Sequence, residues 1–86
     1  MPWKVAITRQ AQKDLDGLPV RDRSMVEAVI QRLADDPGAV HWKKLGGYRN
    51  RWRVAVGRWR IIVAADNRAG QLTVLNVFDR KDAYRD

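Results

Sequence analysis

The chain contains no cysteine. That excludes a disulfide framework, a thiolate zinc site and a cysteine nucleophile, and it fits a reducing compartment. Histidine is nearly absent: the single one, His41, leaves little for a histidine-based metal site or a Ser-His-Asp triad. With no ligand cluster in the sequence, no metal is expected. No apolar run approaches the roughly 20 residues of a membrane span, and no signal-peptide pattern opens the chain. A soluble, cytoplasmic protein is the expectation, with no membrane partner. Internal repeats, low-complexity stretches and linkers are missing too. The 86 residues leave room for one small domain, 1–86, and no second. Hydrophobic residues make up 45%, an ordinary globular share. A core this small is marginal alone and gains from a partner.

What the chain does have is positive charge in one place. Residues 1–42 hold six basic and six acidic residues; residues 43–86 hold eleven basic and four acidic ones. The whole net charge of +7 therefore sits in the second half. Arginine supplies most of it, and a guanidinium is permanently charged and grips phosphate bidentately. Such an excess points to a polyanionic partner, nucleic acid first and a strongly acidic protein next, ahead of mere solubility.

Trp3 to Ile7 reads as a short strand, with Trp3, Val5 and Ile7 on one face. Thr8 is a good helix N-cap; Ala11, Leu15 and Leu18 follow at helical spacing, and Gly17 with Pro19 ends that helix. Arg21 to Ala34 is a second amphipathic helix with a stripe of Met25, Val26, Val29, Ile30 and Leu33, stopped by Asp35, Asp36, Pro37 and Gly38. His41 to Asn50 reads as an irregular basic loop. The period then changes from helical to alternating: Arg51 to Val56, a tight turn at Gly57-Arg58, Trp59 to Ala64, a second turn over 66–70, and Gln71 to Phe78. On that last strand Leu72, Val74 and Asn76 are expected on one face and Leu75 and Val77 on the other, as in a doubly covered interior strand. The fold class is α+β, in the order β-α-α-β-β-β: an N-terminal strand and a helical hairpin packed on a small, mostly antiparallel sheet. Arg51 and Arg53 alternate with Trp52 and Val54, so they should project from the sheet face that the helices leave open. Arg60 lies on the neighbouring strand, and Arg80 closes the last one. Trp52 and Trp59 are read first as core or half-buried strand residues, and His41 as a loop residue.

Several segments look familiar together. Lys44-Leu45-Gly46-Gly47-Tyr48, Trp52-Arg53-Val54-Ala55-Val56-Gly57 and Arg60-Ile61-Ile62 resemble the K-L-x-G-Y loop, W-R-V strand and G-x-Y-R-I turn of the RelE/ParE superfamily of toxins from bacterial type II toxin–antitoxin modules. The ending from Asp79 to Arg85 resembles that family's H-R-K-D-V-Y-R, and Ala11 to Leu15 with Leu18-Pro19 its A-x-K-D-L and L-P. The resemblance runs from about Val5 to Arg85 and is closer to the RelE branch.

The resemblance implies the RelE-like β-α-α-β-β-β fold and one of two activities. RelE-like toxins are ribosome-dependent mRNA endonucleases that cut in the A site and so inhibit translation; ParE-like toxins poison DNA gyrase. For RNA cleavage it carries catalytic roles to Arg53, Arg60, Arg80 and Tyr84, with attack by the 2′-hydroxyl and no metal or small-molecule cofactor. RNA-binding roles fall to Lys43, Lys44, Arg49, Arg51, Arg58 and Lys81. The implied partners are a cognate antitoxin, acidic at the interface, the ribosome and mRNA. Two departures matter. Ala55 stands where some RelE enzymes carry a second basic residue, and Asp79 stands where the family often has histidine. An acid there repels phosphate unless it pairs with Arg80 or Arg58. These departures keep open a weakly catalytic member that mainly binds its antitoxin. For Arg60 and Arg80, ion pairing with Asp66, Asp79 or Asp82 stands beside the role in a site.

Overall fold

The computed structural model describes residues 3–37 and 40–82. Gly38, Tyr84 and Arg85, to which the sequence assigns a helix stop and part of the family-like ending, lie outside the described residues. The elements are β1 (Lys4–Ile7), α1 (Arg9–Asp16), α2 (Val20–Asp35), β2 (Trp42–Lys44), β3 (Arg51–Val56), β4 (Trp59–Asp66) and β5 (Gln71–Asp79), followed by a 3-10 turn at Arg80–Asp82. They form a five-stranded sheet in the order β1-β5-β4-β3-β2. β1 runs parallel to β5; every other pair is antiparallel.

The local chemistry explains the boundaries. Thr8 caps α1: its hydroxyl oxygen accepts from the Ala11 N–H at 3.1 Å. Gly17 closes that helix with its N–H on the Lys13 and Asp14 carbonyls. α2 starts at Val20, one residue before the expected Arg21, because Pro19 cannot continue a helix but can precede one; the Pro19 carbonyl accepts the Arg23 N–H at 2.9 Å. Between β3 and β4, Val56 pairs with Trp59, so the connection is the two residues Gly57 and Arg58. Gly57 has φ of 58°, which fits a II′ hairpin turn with glycine first.

The structure departs from the expectations at three points. The stretch from His41 to Asn50 is not wholly irregular. Trp42–Lys44 adds an edge strand to β3, held in register by Trp42 opposite Val54 and Lys44 opposite Trp52. At three residues it was too short for alternation to reveal. In α2, Met25 is 44% exposed, whereas Val26, Ile30 and Leu33 are buried. Spacing of i, i+4, i+7 sets the core face, and Met25 is turned about 100° away from it. On β5, Asn76 does not share a face with Leu72 and Val74. A register shift opposite Ile62 and Val63 makes Leu75 the extra residue, so Val77 rejoins Val74 on the core side and Asn76 pairs with Ile62. β5 is interior, between β1 and β4, as its apolar residues suggested.

The core lies between the helix hairpin and one sheet face. Ala11 and Leu15 from α1 and Val26, Ile30 and Leu33 from α2 meet Val54, Ile61, Val63, Leu72, Val74 and Val77. With so few fully buried side chains, each carries a large share of a modest total stability. Leu15 is 1% exposed. Leu15→Ala should lower stability by about 2–5 kcal/mol, read as a shift of the urea midpoint with an unchanged transition slope.

Candidate functional site

Residues directly opposite across strands share a sheet face, so the register sorts the charges. One row runs Lys43, Arg53, Ile62, Asn76 across β2, β3, β4 and β5. The rows on either side place Arg51 opposite Ala64 and Ala55 opposite Arg60, which in turn faces Phe78. Lys43, Arg51, Arg53 and Arg60 therefore lie on one face, opposite the face that carries Val54, Ile61, Val63 and the helices. Arg53 and Arg60 are diagonal neighbours, about 7–8 Å apart at the backbone and within reach of one phosphate through their long side chains. Ile62 is 9% exposed and stands outside the main core cluster, an apolar floor between them.

Individual side chains are held in place. Arg60 Nη1 donates to the carbonyls of Gly57 at 2.8 Å and Trp59 at 2.9 Å, which folds the guanidinium back against the hairpin turn. The Arg51 guanidinium stacks on Tyr48, 4.5 Å from the ring centre. Tyr48 belongs to the loop that ends at β3 and is half exposed. Loop and strand are tied together by the Leu45 N–H on the Arg51 carbonyl at 3.0 Å.

The remaining sequence-assigned residues lie outside these paired rows. Lys44 alternates with Lys43 and faces the helix side, its Nζ 5.9 Å from the Trp52 ring centre. Arg49 turns to the same side and borders a cavity with Trp3, Trp42 and Trp52. Arg58 is ion-paired with Asp79: its Nε and Nη2 both donate to Oδ2. It also lies over Trp59, 5.4 Å from the ring centre. Arg80 and Lys81 are exposed on the 3-10 turn just past β5. Arg80 sits beside the β3–β4 turn, with its N–H on the Arg58 carbonyl at 2.7 Å. Tyr84 lies outside the described residues.

Asp79 is the residue the sequence treated as a liability. It is buried, at 7% exposure, on the helix side opposite Trp59. Its Oδ1 accepts the Lys81 N–H at 3.0 Å, and its Oδ2 takes Arg58. The Lys81 N–H does most to hold its carboxyl below the ordinary carboxylate range; burial opposes, and Arg58, by hydrogen bond and charge, adds to the lowering. The negative charge is neutralised on the side away from the arginine face. Asp79 thus ties β5, the turn bearing Arg80 and the β3–β4 turn together. The sequence named Arg58 and Arg80 as its two possible partners; the fold selects Arg58, 21 positions away.

Because the folded carboxyl is more acidic than the unfolded one, its stabilisation is present above the ordinary value near pH 4 and lost as pH falls through the lowered one. Wild type should lose stability more steeply than Asp79→Asn between about pH 5 and pH 3. Urea midpoints for both proteins across that range test this; parallel curves would deny Asp79 the role.

Comparison with known proteins places the family and the fold. Residues 5–84 match the family model for the ParE toxin of type II toxin–antitoxin systems, parDE. No curated protein sequence matches the chain. Among solved structures, a chain of the RelBE2 toxin–antitoxin complex from Mycobacterium tuberculosis is 26% identical, with a TM-score of 0.79 over 93% of this chain and 100% of that one. A chain of the archaeal RelE–RelB complex from Pyrococcus horikoshii is 23% identical, with a TM-score of 0.80 over 96% and 100%. A chain of the E. coli DinJ–YafQ complex is 13% identical, with a TM-score of 0.77 over 98% and 99%. The chain belongs to the ParE toxin family of type II toxin–antitoxin systems, within the RelE/ParE superfamily, and it has the fold of the RelE toxins.

Proposed function

We propose that this toxin is an mRNA endonuclease of the RelE type, acting on message in the ribosomal A site. The observation that carries the reading is the gathering of Lys43, Arg51, Arg53 and Arg60 on the sheet face opposite the helices, with Arg80 at its end. In the reaction the 2′-oxygen bonds to the adjacent phosphorus and the bond from phosphorus to the 5′-oxygen breaks. The 2′-proton leaves to a base, and the departing 5′-oxygen takes up a proton. Arg53, Arg60 and Arg80 stabilise the charge that builds on the phosphorane. A guanidinium, with a pKa above about 12, is a poor proton donor, so the arginines act by charge. Tyr84 stacks on a base or moves a proton. No metal or small-molecule cofactor takes part. Lys43, Arg51 and Lys81 bind flanking RNA, and the ribosome supplies much of the substrate's geometry. In this reading Lys44, Arg49 and Arg58 are withdrawn from the RNA, since they serve the opposite face or the Asp79 pair.

The partner in the cell is a cognate antitoxin, acidic where it meets this face; the similar structures are toxin–antitoxin complexes. A second reading, gyrase inhibition, is favoured by two observations: the matching family model is the ParE toxin, and Ala55 stands opposite Arg60. A third, antitoxin binding with little catalysis, shares the Ala55 argument.

Mapping mRNA 5′ ends in a purified translation system tests the proposal, with a ribosome-free RNA control. New ends inside the A-site codon, absent from the control, are expected. Arg53→Ala, Arg60→Ala and Arg80→Ala should each lower cleavage by about 10²-fold. Tyr84→Phe separates proton transfer from stacking, because only the hydroxyl is lost. Intact message would overturn the reading. Loss of gyrase supercoiling would then point to the second, and retained supercoiling to the third.

A further inference from the structure

The helix side of the sheet carries a cavity of about 310 Å³. It is bordered by three of the chain's four tryptophans, Trp3, Trp42 and Trp52, together with Ala65 and Leu72. Trp52, Ala65 and Leu72 belong to the face opposite Arg53 and Arg60, so the cavity is separate from the arginine face. Its walls are fixed in advance. Trp42 Nε1 donates to the Pro37 carbonyl at 2.7 Å, the Ala65 N–H donates to the Asn50 carbonyl at 2.9 Å, and the Trp3 N–H donates to the Ala34 carbonyl at 3.3 Å. Its size falls at the lower end of ligand sites, roughly 300–1,000 Å³.

Two features select the occupant. Trp42 and Trp52 meet edge to face, at 81° with centroids 6.4 Å apart. A corner of that kind offers one ring's face and the other's edge to a bulky side chain. The polar part of the lining is Arg49, Asn50 and Asn67; Lys44 is not in the lining, but its ammonium lies 5.9 Å from the Trp52 ring centre, and among the described residues no acidic side chain lines the cavity. An apolar pocket with a guanidinium in its lining and an ammonium near one of its tryptophans complements a large apolar side chain flanked by carboxylates. Half-buried tryptophans with an arginine beside them are residue types in which binding energy concentrates at protein interfaces.

We propose that this cavity is an anchor site for an acidic peptide segment of a protein partner, which places one aromatic or large aliphatic side chain among Trp3, Trp42 and Trp52 and its flanking carboxylates on Arg49 and Lys44. The proposal is independent of the nuclease reading: it concerns the other face of the sheet, and its test measures no cleavage.

The full-length ¹⁵N-labelled protein allows a direct test, because each tryptophan contributes one indole N–H resonance and Trp59 lies outside the cavity. The probe is the peptide acetyl-Glu-Leu-Phe-Asp-Glu-amide. The controls are the same peptide with Gln and Asn for the acids, the same peptide with Ala for Phe, and a single-stranded RNA trimer. Saturable shifts of the Trp3, Trp42 and Trp52 resonances are expected, with Trp59 unmoved. Binding should be about tenfold weaker for either altered peptide. Arg49→Glu, in an exposed loop, should weaken the acidic peptide to a similar degree while leaving the rest of the spectrum in place. The proposal is overturned if no indole shifts at millimolar peptide, or if the uncharged or Phe-less peptide binds equally well. It is also overturned if the RNA trimer, and not the peptide, moves the three resonances.

Discussion

The parallel strand β1 ends at Ile7, opposite Val74, and β5 runs on for five residues without a strand on that side. A bare edge there would leave backbone groups unpaired against the helices. Helix α1 closes it with side chains. The Thr8 hydroxyl donates to the Leu75 carbonyl at 2.8 Å, and Asp14 accepts the Val77 N–H at 2.9 Å. The Thr8 N–H adds a bond to the Val74 carbonyl at 3.0 Å. One hydroxyl thus caps the helix and stitches it to the sheet at the residue where β5 bulges. The bulge returns Val77 to the core, so both halves of β5 feed the same apolar layer.

The far end of β5 carries that order to the arginines. Asp79 follows Val77 at spacing two, so it too faces the helix side, where Arg58 meets it from the β3–β4 turn. The Lys81 N–H on Asp79 and the Arg80 N–H on the Arg58 carbonyl then shape the turn in which Arg80 sits. A carboxylate that pointed into the arginine face would cancel part of its positive charge. Here the pleat points it away and a guanidinium neutralises it.

The same pleat divides the basic second half of the chain into two surfaces. Lys43 and Lys44 are adjacent in sequence and project to opposite faces; Arg51 and Arg53 go with Lys43, and Lys44 goes with Trp52. A charge excess that looks uniform in composition becomes an arginine face on one side. On the other, Arg49 borders a tryptophan-lined cavity and Lys44 lies near Trp52. The sheet separates the two surfaces, so the two proposed ligands would not compete for one face.

The amino-acid sequence by itself determined the helix hairpin, three of the five strands' alternation, the cap at Thr8, the hairpin turn at Gly57 and the shared face of Arg51 and Arg53. These depend on neighbours a few positions apart, and period, capping and turn chemistry report them directly. The family pattern, legible from Val5 onward, was sequence information too. Tertiary structure alone decided the rest. The edge strand Trp42–Lys44 exists because β3 offers it a partner. The bulge at Leu75 exists because α1 and β4 both claim β5. Arg58, rather than Arg80, pairs with Asp79, and Arg49 comes to border one cavity with Trp3, across long stretches of chain. Pairings of that range depend on how the sheet is assembled, and no local pattern of residues encodes them.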